Sequence, residues 1–300
     1  MRAHRLCVVG GINMDLHLQS TFGAMQRGTS NPSHGWVSPG GVARNVAENL
    51  ARWGCEVTLL GAVGEDALSE SVLRATAASG VVVARVLRMP DATCGLYTAL
   101  LDADGELAIA ASAMDVTEAV TPEYIRRAAG EIAASELVVV DANIPAHAIA
   151  EVVKVAEDAG VPVVAEPVSV AKARRLASVE GRVLAVTPNE DEASVFGADS
   201  CRLRTGWTVV TRGAAGVDLV GVDGRVHLEA RPVTAIDVTG AGDALVAGLV
   251  YGIVSEAQLA ASARLGIEVA ARTVASAESV CSDLTAAELE AMLRVAIDEA

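Results

Sequence analysis

Aromatic residues are scarce in this chain: two Phe, three Trp and three Tyr in 300 residues. Its core must therefore come from Val, Leu, Ile and Ala, which a 52% hydrophobic content supplies. Lysine is scarcer still, with only Lys154 and Lys172, and the formal net charge is −15. So acidic a chain is a poor binder of nucleic acid or anionic membrane. Any anionic substrate must then be held by local devices such as helix ends, a metal ion or a few arginines. No apolar run approaches the roughly 18–20 residues of a membrane span. The run before Gly10-Gly11 is too short for a signal-peptide core. Cys7, Cys55, Cys94, Cys201 and Cys281 are odd in number, far apart and form no C-x-x-C pair. They read as a reduced set with no zinc site. Together these absences predict a soluble, cytoplasmic protein with no nucleic-acid or membrane partner.

Several site signatures are absent as well. There is no G-x-x-x-x-G-K-[ST] stretch, which excludes a P-loop. Gly10-Gly11-Ile12-Asn13 lacks the G-x-G-x-x-G spacing, and Gly240-Ala241-Gly242 has Leu245 where a third glycine would fall. This argues against a dinucleotide-binding dehydrogenase. No G-x-S-x-G elbow occurs, and the five histidines show no metal-ligand spacing.

What is present is a regular alternation of short apolar runs and helix-period segments. Leu6-Cys7-Val8-Val9 reads as a buried strand ending at Gly10-Gly11. Val42 to Trp53 reads as a helix: Val42, Val46 and Leu50 recur every fourth residue, Glu48 and Arg52 pair at i,i+4, and Gly54 marks the stop. Glu56 to Leu60 and Val81 to Leu87 read as strands. From residue 122 on, helices at 122–133, 146–159, about 170–177 and 189–196 alternate with strands at 137–140, 161–165, 183–186 and 207–210. A hairpin spans about 217–229, and three helices close the chain, the last opened by the capping box Thr285-Ala286-Ala287-Glu288. Such alternation implies a mostly parallel sheet with helices on both faces, and ligands beyond the carboxyl ends of its strands. Residues 12–38 and 92–112 instead carry polar, alternating pieces around Asp102-Ala103-Asp104-Gly105, and read as a small β-sheet lid inserted in a single domain covering 1–300.

The stretch Asp237-Val238-Thr239-Gly240-Ala241-Gly242-Asp243 runs straight into the apolar Ala244-Leu245-Val246-Ala247-Gly248-Leu249-Val250. A glycine turn opening a helix presents unpaired N–H groups and a positive dipole end, a ready phosphate site. An acid there would repel phosphate, unless Asp243 is a base that takes a proton from an attacking hydroxyl. An ordinary strand–helix turn, with an Asp favoured by the dipole, is the competing reading. Gly10-Gly11-Ile12-Asn13-Met14-Asp15 ends the first strand, and a carboxylate with an amide can hold a vicinal diol. A plain Asx-capped turn is the alternative.

The chain resembles the ribokinase-like (PfkB) family of carbohydrate and nucleoside kinases. The resemblance rests on Gly40-Gly41-Val42-Ala43-Arg44-Asn45-Val46-Ala47 through Gly54 and on Asp237 to Asp243. Between them fall Gly61-Ala62-Val63-Gly64-Glu65-Asp66, Asn189-Glu190-Asp191-Glu192 and Thr211-Arg212-Gly213-Ala214-Ala215-Gly216, in the family's order. Within the family it most resembles the pseudouridine kinases, through Thr29-Ser30-Asn31-Pro32, the Gly40 to Arg52 segment and Met114-Asp115.

The resemblance implies a three-layer α/β/α fold with a β lid, and ATP-dependent phosphorylation of the 5′-hydroxyl of pseudouridine. Ribose, adenosine, fructose, 2-keto-3-deoxygluconate and a non-catalytic sugar-binding role are the alternatives. It implies Asp243 as general base, with Gly240, Ala241 and Gly242 as an anion hole. Asn13, Asp15, Thr29, Ser30, Gly41 and Asn45 would bind substrate. Asn189, Thr211, Gly213 and Gly216 would line ATP. Asn189 and Glu192 would organise Mg²⁺ through water, and Asp237 and Thr239 would offer oxygens to a monovalent cation such as K⁺. Phe22, Trp36 and Tyr97 are the aromatics available to stack on a base. Val42 stands where ribokinases usually carry lysine, which argues against free ribose. The lid's uncovered edge and apolar face imply a homodimer.

Overall fold

The computed structural model describes residues 3–198, 200–276 and 278–299. Eight strands make the main sheet, in the order Gly224–Leu228, Val217–Gly221, Leu203–Thr211, Gly181–Val186, Val163–Glu166, Leu137–Asp141, Arg5–Val9, Glu56–Leu60. From Leu203–Thr211 to Glu56–Leu60 they run parallel, and the hairpin at the other edge is antiparallel. The central strands are continuous runs of Val and Leu because both faces are covered. Alternate residues point to opposite faces. Leu6, Val8, Leu137 and Val139 join one apolar cluster, which holds the helices Val42–Arg52, Ala241–Val254 and Leu259–Val274. Cys7, Val9, Val138 and Val140 join the other, which holds Ala146–Ala159. The result is the expected three-layer α/β/α architecture.

A separate four-stranded sheet has the order Ser33–Gly40, Asn13–Ser20, Gly95–Leu101, Leu107–Ala113. It falls on the segments expected to form the lid. Two expectations need correction. Val81 to Leu87 is not a strand of the main sheet: Val82 makes an isolated bridge to Thr58, and the chain then turns at Val83–Val86. Leu87–Met89 instead pairs with Ala62–Gly64 as a third, two-stranded sheet. The helix expected over 122–133 is two pieces, Pro122–Arg127 and Ala129–Ala133. Ala128 N–H is shared between the carbonyls of Tyr124 and Ile125, which tightens the turn and breaks the axis. All five cysteines are free. No helix among the described residues is long and apolar enough to cross a membrane.

The helix Ala241–Val254 is buried from Asp243 to Gly252, and its apolar residues run all round it. Its partner Leu259–Val274 lies against it almost backbone to backbone. A Cβ on Gly248 would stand 2.7 Å from the Gly266 Cα, and one on Gly252 2.6 Å from the Ser262 Cα. This glycine seam fixes the axial position of the helix that carries Asp243. Gly248→Val must push the pair apart. The expected cost is about 3 kcal/mol, a fall in Tm of roughly 6–12 °C by calorimetry. An unchanged Tm would show that the seam can open freely.

Candidate active site

The carboxyl ends of the parallel strands converge on Asp141. Its Oδ2 accepts the N–H groups of Gly11 and Ala43, each at 2.9 Å, and its Oδ1 accepts that of Asn143 at 2.8 Å. One carboxylate thereby ties the end of the first strand to the start of the helix Val42–Arg52, whose dipole favours it. Burial pushes the Asp141 pKa up against these bonds. Gly41 caps that helix with φ +105°, and a Cβ there would collide with the Gly11 carbonyl. Only glycine fits.

Asp243 lies in the first turn of Ala241–Val254, just after Gly240, which caps the helix at φ +79°. It is buried, and its Oδ2 accepts Asn45 Nδ2 at 2.6 Å. Asn45 is buried as well, and its amide orients the acid. Burial raises the Asp243 pKa to about 7, with Asp141 and Asp15 adding to the rise; the Asn45 bond and Arg44 oppose it. A carboxyl poised near neutrality is what general-base work requires. The first intrahelical bond runs from Ala244 N–H to the Gly240 carbonyl, so Gly242 and Asp243 N–H have no helical acceptor. Ala241 differs from expectation: its N–H reaches the Val238 carbonyl at 3.3 Å.

Asn13 and Asp15 are buried at the start of the strand Asn13–Ser20, with Asn13 Nδ2 donating to Asp15 Oδ1 at 2.5 Å. Burial pushes the Asp15 pKa up. The ladder sets Asp15 beside Ser38 and Tyr97, and His17 beside Trp36, on the same face of the small sheet. The His17 and Trp36 rings stack at 5.0 Å between centroids. Phe22, by contrast, lies exposed at the sheet's far end.

Thr29 and Ser30 lie in the loop that joins the strands Asn13–Ser20 and Ser33–Gly40. The ladder pairs Asn13 with Gly40 at one end and Ser20 with Ser33 at the other. That is about 23 Å at the strand rise, and the loop lies beyond. Asn31 fastens that loop, exchanging bonds with Gln26 N–H at 2.8 Å and its carbonyl at 2.9 Å.

On the other flank, Asn189 and Glu192 form a reciprocal capping box at 2.9 and 3.0 Å. Burial pushes the Glu192 pKa up. Glu166 stands well above the usual carboxylate range through burial, Asp243 and Glu192. Among the described residues no cluster of His, Cys, Asp or Glu forms a ready metal cage. The Glu192 oxygen outside the cap is a hard donor of the kind Mg²⁺ takes beside its waters and phosphate oxygens. Thr211 bridges to Asn189 and donates its N–H to the Pro188 carbonyl at 2.8 Å. Gly213 and Gly216 flank a short turn, each with positive φ. Asp237 Oδ1 accepts Thr239 N–H at 2.8 Å, closing an Asx turn.

Two residues escaped the sequence reading. Arg44 is buried and donates to both Glu48 and Asn45. Its one signal was the Arg44-Glu48-Arg52 spacing, which on a surface helix is commonplace. Lys172 donates to Asn143 Oδ1 at 2.6 Å, and burial lowers its pKa. Its rarity in the chain was the available signal.

The family model of pfkB family carbohydrate kinases matches residues 3–285. A pseudouridine kinase from Escherichia coli (strain K12) is 33% identical over 257 residues, covering 81% of this chain and 81% of its own. A carbohydrate kinase from Agrobacterium tumefaciens superposes with a TM-score of 0.83 at 30% identity, covering 97% of each chain. The Arabidopsis thaliana ribokinase solved with ribose and ATP superposes with a TM-score of 0.84, covering 98% of this chain and 99% of its own. At 21% identity that likeness speaks for the fold alone.

The raised Asp243 pKa has a consequence for stability. A carboxyl whose folded pKa exceeds its unfolded value stabilises the fold fully below the unfolded value of 3.8, and that contribution is lost as pH rises through about 7. Asp243→Asn removes the buried charge. It should raise Tm by several degrees at pH 8 and leave it unchanged near pH 4. A lower Tm at pH 8 would contradict this.

Proposed function

Because the chain belongs to the pfkB family of carbohydrate kinases, we propose that it transfers the γ-phosphoryl group of ATP to the 5′-hydroxyl of pseudouridine. The observation that carries this reading is the Asp243 carboxyl, buried at a helix N-terminus with its pKa near 7 and oriented by Asn45. Asp243 accepts the 5′-hydroxyl proton as that oxygen bonds to the γ-phosphorus. The bond to the β–γ bridging oxygen breaks, and ADP leaves with the electron pair. The free N–H groups of Gly242 and Asp243, with Gly240 beside them, stabilise charge on the transferring group. Asn13 and Asp15 hold the ribose diol. The His17–Trp36 stack on the Asp15 face would take a nucleobase on an outer ring face.

Thr211, Gly213 and Gly216 would line the nucleotide; ATP itself is bound by the Arabidopsis ribokinase of the same fold. Asn189 and Glu192 would hold Mg²⁺ through water, and the ion would neutralise the phosphates. The Asp237–Thr239 turn is where a monovalent cation would sit. The face of the small sheet opposite Asp15 exposes Val37 and Ile109, at 57% and 54%. An apolar face and an open edge of this kind would pair with a second copy.

An ATP-consumption panel over pseudouridine, uridine, adenosine, ribose, fructose and 2-keto-3-deoxygluconate should give pseudouridine the highest kcat/KM. Robust turnover of another sugar with none of pseudouridine would overturn the substrate. Asp243→Asn should lower kcat by about 10²–10⁴ with KM little changed. Sedimentation at micromolar protein should show a dimer, and a monomer would refute the pairing.

A further inference from the structure

We propose that Arg44 is a positioning residue for this reaction: its buried guanidinium fixes Asn45 against Asp243 and sustains the charged, proton-accepting form of that carboxylate. The inference rests on the kinase reading above for its catalytic meaning, but not for its geometry. Four side chains form one buried chain, Glu48–Arg44–Asn45–Asp243. Arg44 NH1 donates to Glu48 Oε2, and NH2 donates to Asn45 Oδ1. With its oxygen claimed by a cation, the Asn45 amide can offer Asp243 only its Nδ2 donors, as observed at 2.6 Å. Accepting from a cation at one end and donating to an anion at the other polarises the amide in one sense, so each bond strengthens the next. Asn49 supports the arrangement from the following turn: its Nδ2 donates to the Asn45 carbonyl at 3.1 Å, and its Oδ1 accepts Cys281 N–H at 3.1 Å.

Packing does not account for the arginine. The helix Val42–Arg52 buries Ala43, Val46, Ala47 and Leu50 without it. A buried ion pair such as Arg44–Glu48 is weak evidence of net stability. Arg44 Nε is moreover buried with no partner, which costs the fold a desolvated donor. The side chain keeps a pose that leaves Nε unpaired while both terminal nitrogens reach Glu48 and Asn45.

Electrostatics gives that pose a purpose. Asp243 faces Asp15 from the small sheet, with Asp141 and Glu166 from the main-sheet strand ends. Asp15 and Asp141 favour its protonated form, and the Asp243 charge in turn raises the Glu166 pKa. Arg44 is the cation set against them, itself partly neutralised by Glu48, while Lys172 faces Asp141 and Glu166.

The test follows the titration of Asp243 in Arg44→Met, Arg44→Lys and Glu48→Gln. It is read in two ways: the acid limb of kcat/KM from pH 5 to 9 with the best substrate, and the Asp243 carboxyl signal in ligand-free, ¹³C-aspartate-labelled protein, assigned by Asp243→Asn. Arg44→Met should move the midpoint up by about one pH unit, so that activity falls roughly tenfold more at pH 6 than at pH 8.5. Arg44→Lys should restore most of the midpoint. Glu48→Gln should move it down, because the arginine charge is then less neutralised. A purely structural role would lower Tm and overall rate without moving the midpoint, and an unmoved midpoint overturns the proposal. If Arg44→Met does not fold, the Lys and Gln variants decide by the same directions. The labelled-carboxyl titration needs no substrate. Midpoints that move as expected in a protein with no kinase turnover would therefore sink the kinase reading and leave the Arg44 assignment to Asp243 standing.

Discussion

A carboxylate buried at the start of a buried helix is the constraint from which the rest of this structure follows. Desolvation alone would hold Asp243 protonated and useless as a base at neutral pH. The helix dipole, the Asn45 amide and the Arg44 guanidinium offset part of that cost and leave the group near neutrality. Each of these needs a fixed backbone. Gly240 turns the chain into the helix, and the Gly248–Gly266 contact sets the helix's height against its neighbour. Asp141 fixes the start of the helix that carries Asn45 and Arg44.

The strongly acidic composition is consistent with this design. With two lysines in the chain, phosphate cannot be held by a cluster of ammonium groups. The helix start after Gly240 offers backbone N–H groups instead, and a divalent cation would carry the remaining charge. Burial raises the pKa values of Asp15, Asp141, Glu166 and Glu192, so these acids resist ionising together and the few arginines among them matter.

Much of the architecture was legible in the sequence because the signals were local. Apolar runs of Val and Leu gave the parallel strands, and glycine after Ala159 marked the helix stop at Gly160. The Thr285 capping box was read directly and is present. The failures were non-local. Whether Val81 to Leu87 joins the main sheet depends on what covers its edge, and propensity does not report that. Asn45 could be placed near the site, but its partner is 198 residues away in the chain. Arg44 was hidden for the opposite reason: its i,i+4 spacing to Glu48 is the pattern of a solvated helix face, and only the packed fold shows both buried.

The central claim is that Asp243 receives the proton of the hydroxyl being phosphorylated. A crystal structure with pseudouridine and a non-hydrolysable ATP analogue tests it most directly. The account predicts the 5′-oxygen within about 3 Å of an Asp243 carboxylate oxygen, and in line with the γ-phosphorus. A nucleoside bound with its 5′-oxygen beyond about 5 Å of Asp243, or next to a different base, would contradict it.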